Sequence, residues 1–252
     1  MTRRRFYAPP EAFSPDKKSV TLSPEETRHA RNVLRLQRGD EIYVFDGAGK
    51  EFRCLVCEFA RDGAVLDVKA EVEPARSESP LHLTLAVGLL KGEKFDLVVQ
   101  KATELGASRV IPVVTSRADV LLRDGNEGQR KGIRWQRLAL EAAKQCGRTR
   151  LMEIKPPVEF GDLIRDSGPA DELRVMFAER EGASFLNAMK DLKAATRAIG
   201  LVGSEGGWTD DEIRQARSDG WKIVTLGGRT LRAETAAIVA ATLLQHRFGD
   251  LA

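Results

Sequence analysis

Through the first third of the chain, apolar side chains recur at every second position in short runs broken by turn residues. Val20-Thr21-Leu22, Ile42-Tyr43-Val44-Phe45, Phe52 to Phe59 and Val65 to Val72 read as strands. In the last of these, Val68, Ala70 and Val72 alternate with Asp67, Lys69 and Glu71, which predicts one buried and one wet face. Asp46-Gly47-Ala48-Gly49 and Arg61-Asp62-Gly63 supply turns. One helix interrupts the pattern. Ser23-Pro24-Glu25-Glu26 offers a cap residue, a proline at the first helical position and a glutamate at the third, and predicts a helix to about Leu34. These elements make a small β-barrel or β-sandwich carrying one helix.

After Pro80 the period changes. Leu81 to Leu90 reads as a strand, Glu93 to Leu105 as a helix stopped by Gly106, and Arg109 to Val114 as a strand. Glu172 to Ala178, Ala198 to Val202 and Lys222 to Leu226 are further strands, with helices between them. Thr209-Asp210-Asp211-Glu212 is a capping box whose helix Gly220 closes, and Ala233 to Phe248 is a long final helix. Such alternation predicts an α/β fold with a mainly parallel sheet, and ligands at the carboxyl ends of its strands. The division falls near Pro74 to Pro80, giving an expected first domain of residues 1–74 and a second of 75–252.

The 252 residues carry 40 Lys or Arg against 37 Asp or Glu, a net charge of +3, with 42% hydrophobic and 31% charged side chains. This fits a globular protein and excludes wholesale disorder. The longest apolar stretches, such as Leu83 to Leu90, fall far short of the roughly 20 residues that span a bilayer. Met1-Thr2-Arg3-Arg4-Arg5 is followed by Phe6-Tyr7-Ala8-Pro9-Pro10 rather than a signal-peptide core, so a cytoplasmic location is expected. Three cysteines fit a reducing compartment. Cys54 and Cys57, three apart on a strand, point to opposite faces, and no metal site is expected.

Charge is unevenly placed. Up to residue 40 there are nine basic and five acidic side chains, whereas residues 41–75 hold four basic and eight acidic. From Gln129 to Arg150 seven basic residues accompany the single Glu141. On one helix Arg130, Arg134, Arg137, Glu141, Lys144 and Arg148 would form one stripe, opposite an apolar face of Trp135, Leu138, Ala139, Ala142 and Cys146. A polyanion is the partner such a stripe suits; a solvated face is the alternative.

Two strand ends are rich in glycine. Val202 runs into Gly203-Ser204-Glu205-Gly206-Gly207, and Leu226 into Gly227-Gly228-Arg229-Thr230-Leu231-Arg232-Ala233-Glu234-Thr235. Such loops let backbone approach a ligand closely. They match neither the dinucleotide fingerprint, the phosphate loop nor the serine-hydrolase elbow.

With these loops the chain resembles the bacterial ribosomal RNA uracil-N3 methyltransferase family, a branch of the SPOUT superfamily of knotted methyltransferases. The resemblance rests also on Arg4-Arg5-Phe6, His29-Ala30, Val33-Leu34-Arg35, Gly39-Asp40, Lys91-Gly92, Gln100 to Gly106, and Glu141-Ala142-Ala143-Lys144-Gln145-Cys146-Gly147-Arg148. Ser204 stands where the family usually has proline, and a Glu-Arg pair near Ser116-Arg117-Ala118 is not reproduced.

The resemblance implies a PUA-like RNA-binding β-barrel followed by a SPOUT α/β domain whose C-terminal segment forms a trefoil knot. It implies S-adenosylmethionine as methyl donor, small-subunit (16S) ribosomal RNA within an assembled small subunit as substrate, and a homodimer. Carried over residue by residue, cofactor contacts are expected from Phe177, Ala178 and Glu179, from Gly203, Glu205, Gly206 and Gly207, and from Leu226, Gly227, Arg229 and Leu231. RNA contacts are expected from Arg4, Arg5, Arg28, Arg31, Arg35, Arg134, Arg137 and Arg148. Methylation at N3 of uracil needs an unpaired base and loss of the N3 proton, so a cation and a proton acceptor are wanted; Arg232 and Glu234 are the nearest such pair. Each has a rival role, Glu234 as first-turn acid of the final helix and Arg232 as a brace for Glu205. Ala237, Ala240, Ala241 and Leu244 offer a small apolar face for a partner subunit, or for the chain's own sheet. A SPOUT enzyme acting on transfer RNA or a ribose hydroxyl, and a non-catalytic RNA-binding protein, remain the competing readings.

Overall fold

In the computed structural model, which describes residues 3–118, 125–166 and 168–251, the period-two runs form one five-stranded sheet. Its strands are β1 (Arg5–Tyr7), β2 (Ser19–Thr21), β3 (Glu41–Phe45), β4 (Glu51–Phe59) and β5 (Ala64–Val72), in the order β1-β3-β4-β5-β2. Neighbours are antiparallel except β1 and β3, which pair parallel with Phe6 opposite Val44. Phe52, Cys54 and Val56 of β4 meet Phe6, Ile42, Val44 and Leu66 in one buried cluster. Cys57 is only half-buried, as the strand period requires, and burial pushes the Cys54 thiol up to about 12, so it behaves as a small apolar side chain.

The helix foreseen between the strands begins as α1 (Pro24–Arg28), where Ser23 Oγ accepts the Glu26 amide at 3.2 Å. It then widens into a π turn over His29–Val33, closed by the Leu34 amide on the His29 carbonyl at 3.1 Å. The predicted length is reached with one inserted residue, a feature that often marks a working surface.

This first unit runs to Glu78 and also takes in Ala143–Leu151, a segment that the expected division at residue 74 places in the second domain. Ionised side chains hold it there. The fully buried Glu51 accepts Arg3 and Arg5, each at 2.8 Å, and the Ala75 amide at 2.6 Å. Arg5, its guanidinium against the Phe45 ring, donates onward to the carbonyls of Ala143 and Lys144 at 3.3 Å and of Arg148 at 2.9 Å. Glu78 accepts Arg148 Nε at 2.9 Å and the amides of Thr149 and Arg150 at 3.1 and 2.9 Å. Lys144 reaches Glu26 at 2.7 Å. Arg5 and Arg148 keep only 6% and 8% of their side-chain surface exposed, which corrects the expectation that they face RNA. The reason is local: the basic helix ends at Cys146, and Gly147, at φ +92°, turns Arg148 out of the stripe and into the unit.

The second unit comprises Ser79–Ala142 and the chain from Met152 onward. Its elements are β6 (His82–Gly88), α2 (Lys94–Glu104), β7 (Arg109–Val114), α3 (Gly125–Cys146, the last turn counting with the first unit), β8 (Glu153–Ile154), β9 (Val158–Glu159), α4 (Phe160–Arg165), β10 (Leu173–Phe177), β11 (Ala183–Ser184), α5 (Phe185–Met189), β12 (Arg197–Val202), α6 (Asp210–Ser218), β13 (Lys222–Thr225) and α7 (Ala233–Phe248). All strands pair parallel, in the order β11-β13-β10-β12-β6-β7-β8, with β9 also beside β7. Side chains of α4 and α6 cover one face of the sheet, and those of α2, α5, α7 and the Trp135 side of α3 the other. Leaving the central β12, the chain passes along one face through α6 to β13, beyond β10, and α7 returns on the opposite face over β12 and β6. This is the segment that the resemblance expects to thread a loop.

Ala237, Ala240, Ala241 and Leu244 are fully buried on α2, β6 and β12, so the small face offered to a partner covers the chain's own sheet. Small side chains let α7 lie close: a β-carbon on Gly200 would come within 3.0 Å of Leu244 Cδ1.

Replacing Glu51 by Ala leaves Arg5 buried without its counter-charge and is expected to cost about 3–5 kcal/mol. Urea titration reads this as a lower midpoint, with a smaller loss for Glu51→Gln; a loss below about 1 kcal/mol for Glu51→Ala would show that the pairing contributes little net stability.

Candidate active site

Three neighbouring strands, β13, β10 and β12, end side by side, and their loops together with the start of α7 enclose a cavity of about 650 Å³. Phe177, Ala178 and Glu179 line it from the end of β10. Gly203, Glu205, Gly206 and Gly207 line it from β12, and Leu226, Gly227, Arg229 and Leu231 from β13, with Arg232 and Glu234 at the root of α7. The structure therefore brings all the expected cofactor residues and the expected catalytic pair around one space. The volume lies in the range of small-molecule sites.

The loops are fixed by close backbone approach. A β-carbon on Gly88, at the end of β6, would fall 2.4 Å from the Ser204 amide nitrogen, and one on Gly206 would fall 2.7 Å from both Cβ and O of Arg117. Gly207 takes φ +66°, and the Glu179 carboxylate occupies the space its side chain would fill, 2.8 Å from the would-be β-carbon. Trp208 donates its indole N–H to the Phe177 carbonyl at 2.8 Å, tying the β12 loop to the end of β10.

Cations sort the carboxylates. Arg180 holds Glu179 at 2.7 Å while donating to the Trp208 carbonyl at 3.0 Å and to Asp210 at 2.6 Å. Glu205 accepts Lys94 Nζ at 2.9 Å and the Lys91 amide at 3.1 Å. Burial alone would raise the Glu205 carboxyl, but these donors outweigh it and hold it below the ordinary carboxylate value. Lys94, not Arg232, thus braces Glu205, which corrects the sequence reading. Glu234 differs from both: it is 8% exposed, in the first turn of α7, and its Oε2 has no hydrogen-bond partner among the described residues. Arg229 and Arg232 are exposed at the cavity rim.

Sequence reasoning missed Lys94, Arg180 and Trp208. Lys91-Gly92 and the capping box at Thr209 flank them, but the contacts are long-range and carry no local pattern. Among the residues expected to face RNA, Arg4, Arg28, Arg31 and Arg35 are exposed; Arg134 and Arg137 are exposed on α3, where Arg134 pairs with Glu93 at 3.1 Å and with Asp96. Among the described residues no group of three or more His, Cys, Asp or Glu is arranged to hold a metal ion, and no helix is long and apolar enough to cross a membrane.

Comparison with known proteins matches residues 77–245 to a family described as an RNA methyltransferase domain and residues 15–57 to an RNA methyltransferase PUA domain. A ribosomal RNA small subunit methyltransferase E of Synechocystis is 36% identical over 223 residues, 88% of this chain and 71% of that protein. Among solved structures, a methyltransferase of Legionella pneumophila in complex with SAM superposes with a TM-score of 0.88 at 30% identity, covering 100% of both chains. The ribosomal RNA small subunit methyltransferase E of Neisseria gonorrhoeae, bound to S-adenosyl methionine, gives 0.87 at 29% identity, again over 100% of both.

The glycine contacts separate two effects that the sequence merges. Gly206→Val drives its side chain into Arg117 and is expected to destabilise the fold by about 1–3 kcal/mol. Gly228, which lines the cavity with no atom within 4 Å of a would-be β-carbon, is the cleaner probe. Gly228→Val should melt within a degree or two of wild type yet weaken S-adenosylmethionine binding at least tenfold by calorimetry. Equal affinity with an unchanged melt would take the β13 loop out of the binding site.

Proposed function

Because the chain belongs to the RNA methyltransferase family that includes the small subunit methyltransferases E, we propose that it methylates N3 of a uridine in small-subunit (16S) ribosomal RNA, using S-adenosylmethionine. The fold is that of the family, a SPOUT-type α/β domain preceded by a small PUA-like β domain. The observation that carries the site assignment is the single cavity at three strand ends in which Glu234 alone, of the carboxylates Glu179, Glu205 and Glu234, has a buried oxygen with no hydrogen-bond partner among the described residues.

The cavity fits the cofactor: glycine-exposed backbone at 203–207 and 226–228 offers amides and carbonyls to the adenine and methionine portions, and Glu179 and Glu205 stand ready to meet hydroxyl or ammonium groups. When bound there, S-adenosylmethionine supplies an electrophilic methyl group on its sulfonium. The chain's own residues do the rest. The uracil must be unpaired for N3 to be reached, and the exposed cations of the rim, Arg229 and Arg232, meet the RNA as it enters. Glu234, which lines the cavity, accepts the N3 proton. Arg232 stabilises the charge that develops on a neighbouring uracil carbonyl oxygen. Loops fixed by Trp208, Arg180 and Lys94 hold the reacting groups in place, and positioning supplies much of the rate.

The same reading carries action in the cytoplasm, on an assembled small subunit, by a homodimer. Since Ala237, Ala240, Ala241 and Leu244 lie within the chain, the partner copy meets other residues; the exposed Leu97 of α2 and Ile133 of α3 are apolar side chains still open to it.

Glu234→Gln preserves shape and removes the proton acceptor. It is expected to lower kcat by about 10²- to 10³-fold while S-adenosylmethionine affinity stays within about twofold. Mass spectrometry of small-subunit RNA treated with the wild-type chain should locate the new methyl on N3 of one uridine. Methyl on a ribose hydroxyl, or on transfer RNA alone, would replace this reading with another SPOUT activity.

A further inference from the structure

We propose that a hollow of about 380 Å³ on the first unit, beside α1 and the turn between β4 and β5, binds one backbone phosphate of the RNA substrate. The proposal rests on the reading that the substrate is RNA and names a point at which the first unit holds it.

The hollow is lined by Thr27, Arg28, Arg31, Asn32 and Arg61, with Pro24 and Ala60 at its edges, and no carboxylate lines it. Arg28, Arg31 and Asn32 stand three and four positions apart, hence on one helical face, where the π turn continues α1. Arg61 arrives from the β4–β5 turn, 29 or more positions along the chain, and no local pattern marks it as part of the same patch.

What joins the two sides is Thr27. Its hydroxyl accepts the Ala64 amide at 2.7 Å and donates to the Leu22 carbonyl at 3.4 Å, while the Leu22 amide bonds the Ala64 carbonyl at 2.9 Å. The turn presses so closely on this point that a β-carbon on Gly63 would fall 2.3 Å from the Leu22 carbonyl oxygen. The arginine-bearing elements are therefore held at a set spacing before any ligand arrives, and such preorganisation limits the ordering cost of binding. The three guanidiniums and the Asn32 side-chain NH2 offer donors suited to a tetrahedral anion, and arginine binds phosphate through paired N–H groups. The exposed Val33 and Leu34, 66% and 38% accessible, lie next along the same turn and give an apolar surface to a nucleotide whose phosphate sits in the hollow.

The test uses the full chain and deproteinised small-subunit ribosomal RNA. For Arg28→Gln with Arg61→Gln, RNA affinity near 0.1 M salt should fall roughly tenfold, and the slope of log affinity against log salt should shrink by about one phosphate's worth, 0.7 to 0.9. The KM for RNA should rise with kcat and S-adenosylmethionine affinity retained. Arg61→Lys, which keeps the charge and loses the paired geometry, should keep the slope while losing part of the affinity. Unchanged affinity and slope in the double variant overturn the proposal. So does tight binding of inorganic phosphate to the wild type with no change in RNA affinity on mutation, which assigns the hollow to a small free anion. A wild-type chain that transfers no methyl to RNA instead overturns the reading on which the proposal rests.

Discussion

Around the cavity, chain segments from distant parts of the sequence approach one another more closely than any β-carbon permits. Gly88 lies under the Ser204 amide, Gly206 against the backbone of Arg117, and Gly182 against the backbone of Val224 and Thr225, with would-be β-carbons at 2.4 to 2.9 Å. Gly88 and Gly206 join the ends of β6 and β7 to the loop after β12, Gly182 joins the chain after β10 to β13, and the Trp208 indole on the Phe177 carbonyl ties the two groups together. The cavity exists because these loops cannot drift apart, and they cannot drift apart because glycine lets backbone rest on backbone. A ligand then meets peptide groups whose positions are fixed by the sheet, which is the preorganisation that transfer of a small group between two large substrates requires.

Electrostatics does the second part of the arrangement. Glu179 and Glu205 each have a dedicated cation, Arg180 and Lys94, and these pairs fix loops as much as they neutralise charge. Glu234 has a buried oxygen with no hydrogen-bond partner among the described residues. The first unit uses the same chemistry for a different end. Glu51 and Glu78 gather Arg3, Arg5, Arg148 and three backbone amides, and so attach the short segment 143–151 to a sheet formed some 70 or more residues earlier. Buried carboxylates therefore anchor backbone in both units, Glu51 by the Ala75 amide in the first and Glu212 by the Ser116 and Thr209 amides in the second.

Sequence periodicity revealed the strands and the long helices because burial follows a period of two or 3.6, and the glycine loops were visible because their composition is local. The resemblance named residues that line one cavity in the structure. What was illegible is non-local. Arg5 and Arg148 look like surface cations until the carbonyls and carboxylates that hold them arrive from other parts of the chain. The apolar face of α7 reads equally as an interface or a sheet cover, and only the position of β13 beyond β10 shows that the helix must return across β12 and β6. Lys94 carries no mark that would single it out from other surface lysines; it gains a role because β6 ends beside β12 and brings the start of α2 to Glu205. The two short helices α4 and α5 and the two-residue strands β8, β9 and β11 are too brief for any period to declare them.

Ser204 stands where the resemblance leads one to expect proline. Proline at this position would fix φ through its ring and need no donor. Serine leaves φ free, and here its hydroxyl takes up the constraint instead, meeting Thr115 Oγ1 at 3.2 Å and donating to the Arg117 carbonyl at 3.3 Å. Thr115 and Ser204 are both buried, so these bonds are shielded from exchange with water. The Arg117 guanidinium returns the contact by donating to the Gly206 carbonyl at 3.3 Å, and the Ser116 amide bonds Glu212 at 2.9 Å in the capping box of α6. A restriction written into the backbone by a ring is thus replaced by a small network that spans the end of β7, the β12 loop and α6. The position of the loop is therefore tied to the residues after β7, so changes there reach the cavity wall.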